Sequence, residues 1–219
     1  MAVRFDFSAL GRREYNMRQV TLDELGRIAA NSREDLWDAA RSVGRDNPLI
    51  VLHWSAGHYD STFPDDYHIE ITGDGEILLS TDDLSEVLAH TWKMNTGSVG
   101  VSLCCCAYAT TEDLGDEPPT DEQIEVMAQV IAVLCNNLWL TIRPDIVYTH
   151  GEIADSDLYA DKDKYGPQND CERWDLQFLG TDESPEFTDD YDDASTGGNV
   201  LRGKALYYQA LWNKEAAKV

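Results

Sequence analysis

From residue 20 onward the chain alternates apolar runs with polar, turn-forming stretches, and the two spacings separate cleanly. Thr21 and Glu24 form a capping-box pattern ahead of Leu22, Leu25 and Ile28. Ser32 then precedes Leu36, Ala39, Ala40 and Val43 on one helical face, so two short helices are predicted to open the fold. The turn residues GRDNP at 44–48 close that segment. An apolar strand follows at 48–53, and YHIEITGDGEILLS at 67–80 reads as a hairpin turning at 73–75. VGVSLCCCAYA at 99–109 reads as a central strand, apolar on both faces. A second capping box, Thr120 and Gln123, leads a helix carrying Ile124, Met127, Ile131, Leu134 and Leu138. PDIVYTH at 144–150 is a last apolar strand, and Leu201, Ala205, Tyr208 and Trp212 mark a helical stripe in the tail. Strands interleaved with helices predict an α/β fold: one domain with a mixed β-sheet flanked by helices, an N-terminal helical segment and a C-terminal helix.

Composition narrows the function more than the fold. At 219 residues, 42% hydrophobic and 26% charged, the chain suits one sizeable core. It holds no stretch apolar enough to span a bilayer, and its first residues lack the apolar core of a secretory signal. The expectation is therefore a protein cytoplasmic as synthesised, without membrane insertion. A net charge of −24 argues against binding nucleic acid through phosphates. That charge is uneven: residues 1–46 balance eight Arg against eight acids, whereas the remainder holds 9 basic and 33 acidic residues. Residues 181–198 carry seven acids and no base and read as a solvated linker. The expected organisation is a helical segment at 1–46, a catalytic domain at 47–180, the acidic linker at 181–198 and a helix at 199–219. The five cysteines lack disulfide-framework spacing, and the consecutive trio Cys104, Cys105 and Cys106 reads as small core residues.

The candidate chemistry begins with two histidines. His53 and His150 each end an apolar strand, and ligands of open α/β sheets gather at the carboxyl ends of strands. Two imidazoles there suit zinc, which takes nitrogen and carboxylate donors and, in catalytic sites, keeps one position open. The third donor must come from a segment returning to the same edge, and both Asp175 and Cys171 qualify. The acid-rich stretch at 155–166 lacks the glycine and closing glutamate of a calcium loop and reads as a solvated rim. Trp54, Trp92 and Trp174 lie near these segments and could stack on a ligand.

LIVLHWSAG, YHIEITGDGEI, HTWKMNTGSVGVSL, PTDEQIEVMAQVIAVLC, IVYTHGEIA and RWDLQFL occur in one order, over roughly residues 47–180. Together they resemble the zinc-dependent N-acetylmuramoyl-L-alanine amidases, the group that includes phage lysozyme-type amidases and peptidoglycan recognition proteins. The resemblance implies Zn2+ held by His53, His150 and Asp175, and it favours Asp175 over Cys171. It implies that Tyr67 and Arg173 stabilise the oxyanion of the cleaved amide, and that His90 flanks the substrate cleft. Arg173 stands where the family has lysine, which keeps the charge and changes the geometry. His68 is expected to be structural, and His58 receives no role. Some members place a glutamate in the central strand; Ser102 and Cys104 stand there instead, which favours the tyrosine-type site. The implied function is hydrolysis of the bond between N-acetylmuramic acid and L-alanine in peptidoglycan, in a phage or prophage endolysin. A non-catalytic peptidoglycan-binding module is the alternative.

Overall fold

The computed structural model describes residues 17–155 and 174–216. Among them, six strands form one mixed sheet in the order β1-β4-β3-β5-β2-β6. The strands are β1 (Arg18–Gln19), β2 (Leu49–Trp54), β3 (Ile69–Ile71), β4 (Ile77–Leu79), β5 (Ser98–Leu103) and β6 (Val147–Thr149). β3, β5, β2 and β6 run parallel, and β4 and β1 close one side antiparallel. The helices are α1 (Leu22–Ser42), α2 (Asp121–Leu138), α3 (His150–Asp155) and α4 (Gly197–Ala216). No helix among the described residues is long and apolar enough to cross a membrane.

Strand alternation divides the sheet into two unlike faces. Ile50, Leu52, Val99, Val101, Leu103, Ile69 and Ile71 belong to the main apolar core with the inward residues of α2. α2 in turn packs against α1 on one side and α4 on the other. The opposite face of β5 carries Ser98, Gly100 and Ser102, so that strand is not apolar on both sides as expected. It is buried throughout nonetheless, because small polar side chains let other groups settle on them. β5 also stops at Leu103, and Cys104, Cys105 and Cys106 follow it as fully buried residues outside the ladder.

Two expectations change in the flanking segments. The N-terminal pattern forms one helix of 21 residues rather than two, capped by the Thr21–Glu24 box. Ser32 does not start a helix. Its hydroxyl donates to Ile28 O at 3.0 Å within α1 and accepts from Leu84 N at 3.0 Å, a use of serine that a cap reading overlooks. α1 also serves the far end of α2: Arg33 donates to Asn137 O and Trp37 to Leu138 O, each at 2.9 Å, satisfying carbonyls that a helix terminus leaves open.

The acidic stretch at 181–196 is not a free linker. Gln177 Nε2 donates to Thr188 O, Leu179 N to Ser184 O, and Gly197 N to Gln177 O. Asp190 and Asp193 accept from backbone amides two residues on, and such local turns use the same residue types that read as solvated coil. α4 follows with the expected stripe: Leu201 and Ala205 are buried, and Tyr208 and Trp212 pack against the core.

Gln123 ties α2 to the sheet. Its carbonyl accepts from Thr120 N in the capping box, and its amide donates to Ile71 O and Cys104 O, both at 3.0 Å, in a fully buried position. Replacing Gln123 by Ala leaves the buried Cys104 carbonyl without this donor, while Ile71 O keeps Cys104 N, so chemical denaturation should show a loss of about 1–3 kcal/mol. Gln123→Glu should lose a similar amount, since a carboxylate cannot donate to either carbonyl.

Candidate metal centre

The register of the parallel strands builds the site. Glu70 lies opposite Ser102, and Ser102 opposite His53. Leu52 pairs with Thr149, so His53 and His150 leave β2 and β6 side by side, with ring centroids 4.7 Å apart. β6 ends at Thr149, and His150 is the first residue of α3 rather than the last of a strand. Asp175 arrives from the segment before α4. Its Oδ2 lies 3.2 Å from His53 Nδ1 and 3.3 Å from His150 Nδ1. One donor atom from each of the three residues falls within 4.8 Å of the others.

Hydrogen bonds behind His53 fix the tautomer of its neighbour His90. Ser98 donates its hydroxyl proton to Met94 O at 2.7 Å and to Asn95 O at 2.9 Å. It must therefore accept from His90 Nε2, 3.1 Å away. Burial, followed by the neighbouring histidines and Arg45, pushes His90 well below the usual histidine range, so its ring is neutral and carries its one proton on Nε2. His90 Nδ1 is then an acceptor, with Thr91 Oγ1 at 3.0 Å and His53 Nε2 at 3.3 Å beside it. His53 Nδ1 and Asp175 Oδ2, 3.2 Å apart, are bridged by a proton or by a metal ion.

The donor set fits zinc on this geometry. Bonds of about 2.0–2.1 Å to nitrogen and oxygen place tetrahedral ligand atoms roughly 3.3 Å apart, close to the two separations seen here. Burial disfavours the Asp175 carboxylate, but His150 and His53 outweigh it and hold the group well below the ordinary carboxylate range. It is therefore ionised, as a ligand must be.

A cavity of about 410 Å³ opens beside these donors, with His150, Asp175, Tyr67, Asp66, Trp54 and Trp174 in its wall. Tyr67 sits 5.1 Å from the His53 ring, centroid to centroid. Burial, then the nearby carboxylates of Asp175, Asp66 and Glu70, push its phenol far above the usual tyrosine range, while a hydrogen bond with Ser102 opposes them. The phenol therefore keeps its proton at neutral pH. Asp66, beside it, is raised by burial and then by Asp65.

The remaining sequence candidates fall in different places. His90 also borders the cavity, but it is 5% exposed, and most of its ring is spent on His53 and Ser98 rather than on an open cleft. It can lie there because residue 100 is glycine: a Cβ at that position would stand 2.6 Å from the ring. Trp54 is buried at the cavity wall, whereas Trp92 is 46% exposed and is not among the lining residues. Trp174 donates from its indole to Thr110 O at 3.0 Å. His68 has a structural place, with Nδ1 accepting from Gly100 N and Nε2 donating to Glu86 O. Arg173 and Cys171, and all but the first residue of the stretch at 155–166, lie outside the described residues.

Sequence reasoning missed Glu70. It is fully buried on the site face of β3, where Oε1 accepts from Phe63 N at 2.6 Å and Oε2 lies 4.0 Å from Cys104 Sγ. The signal was present in the alternation of YHIEI, which sets Glu70 on the face opposite Ile69 and Ile71.

The model of the N-acetylmuramoyl-L-alanine amidase family matches residues 44–169, more than half of the chain, and the protein belongs to that family. His53, Tyr67, His90 and His150 lie inside the matched range, and Asp175 lies beyond it. Among solved structures, the chain is similar to wild-type Drosophila PGRP-LB, at 18% identity and a TM-score of 0.38, over 70% of this chain and 96% of that one. No curated protein matches.

Glu70 makes a measurable prediction. Burial raises its carboxyl from 4.5 to about 7. Between those values the unfolded chain gives up a proton that the folded chain keeps, so this group's contribution to stability falls as pH rises through the window and is constant above it. His68, lowered from 6.5 to about 4, contributes in the opposite direction, its stability being lost as pH falls. The two slopes oppose each other. Glu70→Gln removes one of them, so its stability relative to wild type should rise by on the order of 2–3 kcal/mol between pH 4.5 and 7.5 in urea titrations.

Proposed function

We propose that the protein is a zinc-dependent N-acetylmuramoyl-L-alanine amidase that cleaves the bond between the lactyl group of N-acetylmuramic acid and the first L-alanine of the stem peptide. The observation that carries this reading is the convergence of His53 Nδ1, His150 Nδ1 and Asp175 Oδ2 beside an open cavity, in a chain of this family. His53, His150 and Asp175 would hold the ion, and zinc when bound supplies a Lewis acid that activates water and polarises a carbonyl at neutral pH.

The chain's own groups account for the rest of the reaction. Tyr67 keeps its phenolic proton and faces the cavity, so it can donate to the carbonyl oxygen as negative charge develops there. Arg173, which the family pattern places two residues before Asp175, is a second candidate for that charge. Asp66 is the other carboxyl in the cavity wall, and its raised affinity for a proton suits it to return one to the departing amine of L-alanine. Trp54 and Trp174 give the cavity apolar walls against which sugar or peptide can lie. Action on the wall from inside the host cell, as an endolysin, is the setting we infer for this chemistry.

The test combines metal analysis with digestion of purified peptidoglycan, read as newly released L-alanine amino termini. Wild type should bind one zinc per chain and release them, and chelation should abolish the release. His53→Ala, His150→Ala and Asp175→Ala should each lose zinc and activity together. Tyr67→Phe should keep zinc and lose about 10²–10³-fold in kcat. Asp66→Asn should also keep zinc, with a fall in kcat of about 10²-fold. Wall binding without any release of amino termini would instead make the protein a recognition module.

A further inference from the structure

We propose that the C-terminal helix is a working part of the metal centre, because Arg202 on α4 positions His150; this rests on the reading of His150 as a metal ligand. α3, which His150 opens, has only six residues and cannot stabilise its own first turn. Thr149 and Glu152 hold that turn from both sides of the histidine. Thr149 N donates to Glu152 Oε2 at 2.8 Å, and Glu152 N donates to Thr149 Oγ1 at 3.1 Å.

Arg202 grips this box. Its Nη1 donates to Glu152 Oε2 at 2.8 Å and its Nη2 to Glu152 Oε1 at 2.6 Å, a two-pronged pairing with a planar fork. Nη1 also donates to Val147 O at 2.8 Å, and Nη2 to Asn199 Oδ1 at 2.7 Å. The chain is thus fixed three residues before His150 and two residues after it by one guanidinium, itself 4% exposed. Gly198 permits the approach, since a Cβ there would stand 2.5 Å from Glu152 Oε1.

The pairing also explains why an arginine is required. Lysine carries the charge but lacks the fork, so it cannot bind both carboxylate oxygens and the Val147 carbonyl in one plane. The residue lies outside the range matched to the family, so α4 supplies from beyond that core what holds the second histidine in register with the first.

The experiment uses the full chain and measures zinc affinity by competition with a chromogenic chelator, alongside kcat and KM on peptidoglycan. Arg202→Lys and Glu152→Gln should weaken zinc binding by about 10–100-fold at temperatures where circular dichroism shows each variant folded. At saturating zinc, kcat should fall more than KM changes. Lys204→Ala is the control, since Lys204 sits on the same helix but pairs with Glu125 and Glu183, away from α3. It should leave zinc affinity within about twofold of wild type and, because its ion pairs are partly exposed, cost little stability. Folded Arg202→Lys and Glu152→Gln proteins with wild-type zinc affinity would overturn the proposal, as would an equal loss in Lys204→Ala. A wild type that takes up no zinc would overturn the metal reading itself, before any variant is compared.

Discussion

Everything about the site follows from one electrostatic demand: a buried carboxylate faces two imidazole nitrogens, and a proton or a cation must lie between it and each of them. Burying an ionised Asp175 would be costly without compensation, because a carboxylate loses its hydration in the interior. The two histidines can offset that loss by donating N–H groups to it, or by sharing a divalent ion with it.

The sheet meets this demand by keeping its two faces chemically distinct. One face of β2, β3 and β5 is apolar and contacts α2, and it supplies the hydrophobic stabilisation. The other carries Ser98, Ser102, Glu70 and His53, all fully buried and costly to leave unpaired, together with Gly100 and a small apolar cluster at Leu49 and Val51. Pairing is nearly complete because the small residues of β5 admit larger rings. His90 lies over Gly100, and His68 bonds the Gly100 amide. A single serine, Ser98, sets the tautomer of His90, and the chain of contacts from Ser98 through His90 to His53 ends beside Asp175.

Much of this was legible in the chain. The capping boxes at Thr21 and Thr120, the inward stripe of α2 and the two histidines near strand ends all rest on local spacing, which a sequence displays directly. The connected network was not legible. His90 looks like a loop residue because its burial depends on Gly100, ten positions away and on a different element. Glu70 sits in a three-residue strand, too short for its alternation to stand out from the hairpin around it. The acidic stretch before α4 misled for another reason: aspartate, serine and threonine serve solvated coil and tight turns equally well. Composition cannot separate those uses, because the difference lies in which backbone amides are within reach.

The third donor shows how the segments flanking the family core contribute. Asp175 lies beyond the matched range, on a stretch with no regular secondary structure to hold it. Backbone bonds hold the residue itself and the chain just after it: Gly151 N reaches Asp175 O at 3.5 Å, and Gly197 N donates to Gln177 O at 3.0 Å. Leu176 adopts a left-handed backbone, φ 60°, which turns the chain sharply just after the aspartate. Gly151 belongs to α3 and Gly197 opens α4, so the aspartate is held between the same two helices that Arg202 and Glu152 join. Two of the three candidate donors therefore share one support. A perturbation there displaces His150 and Asp175 together relative to His53, which the sheet holds independently.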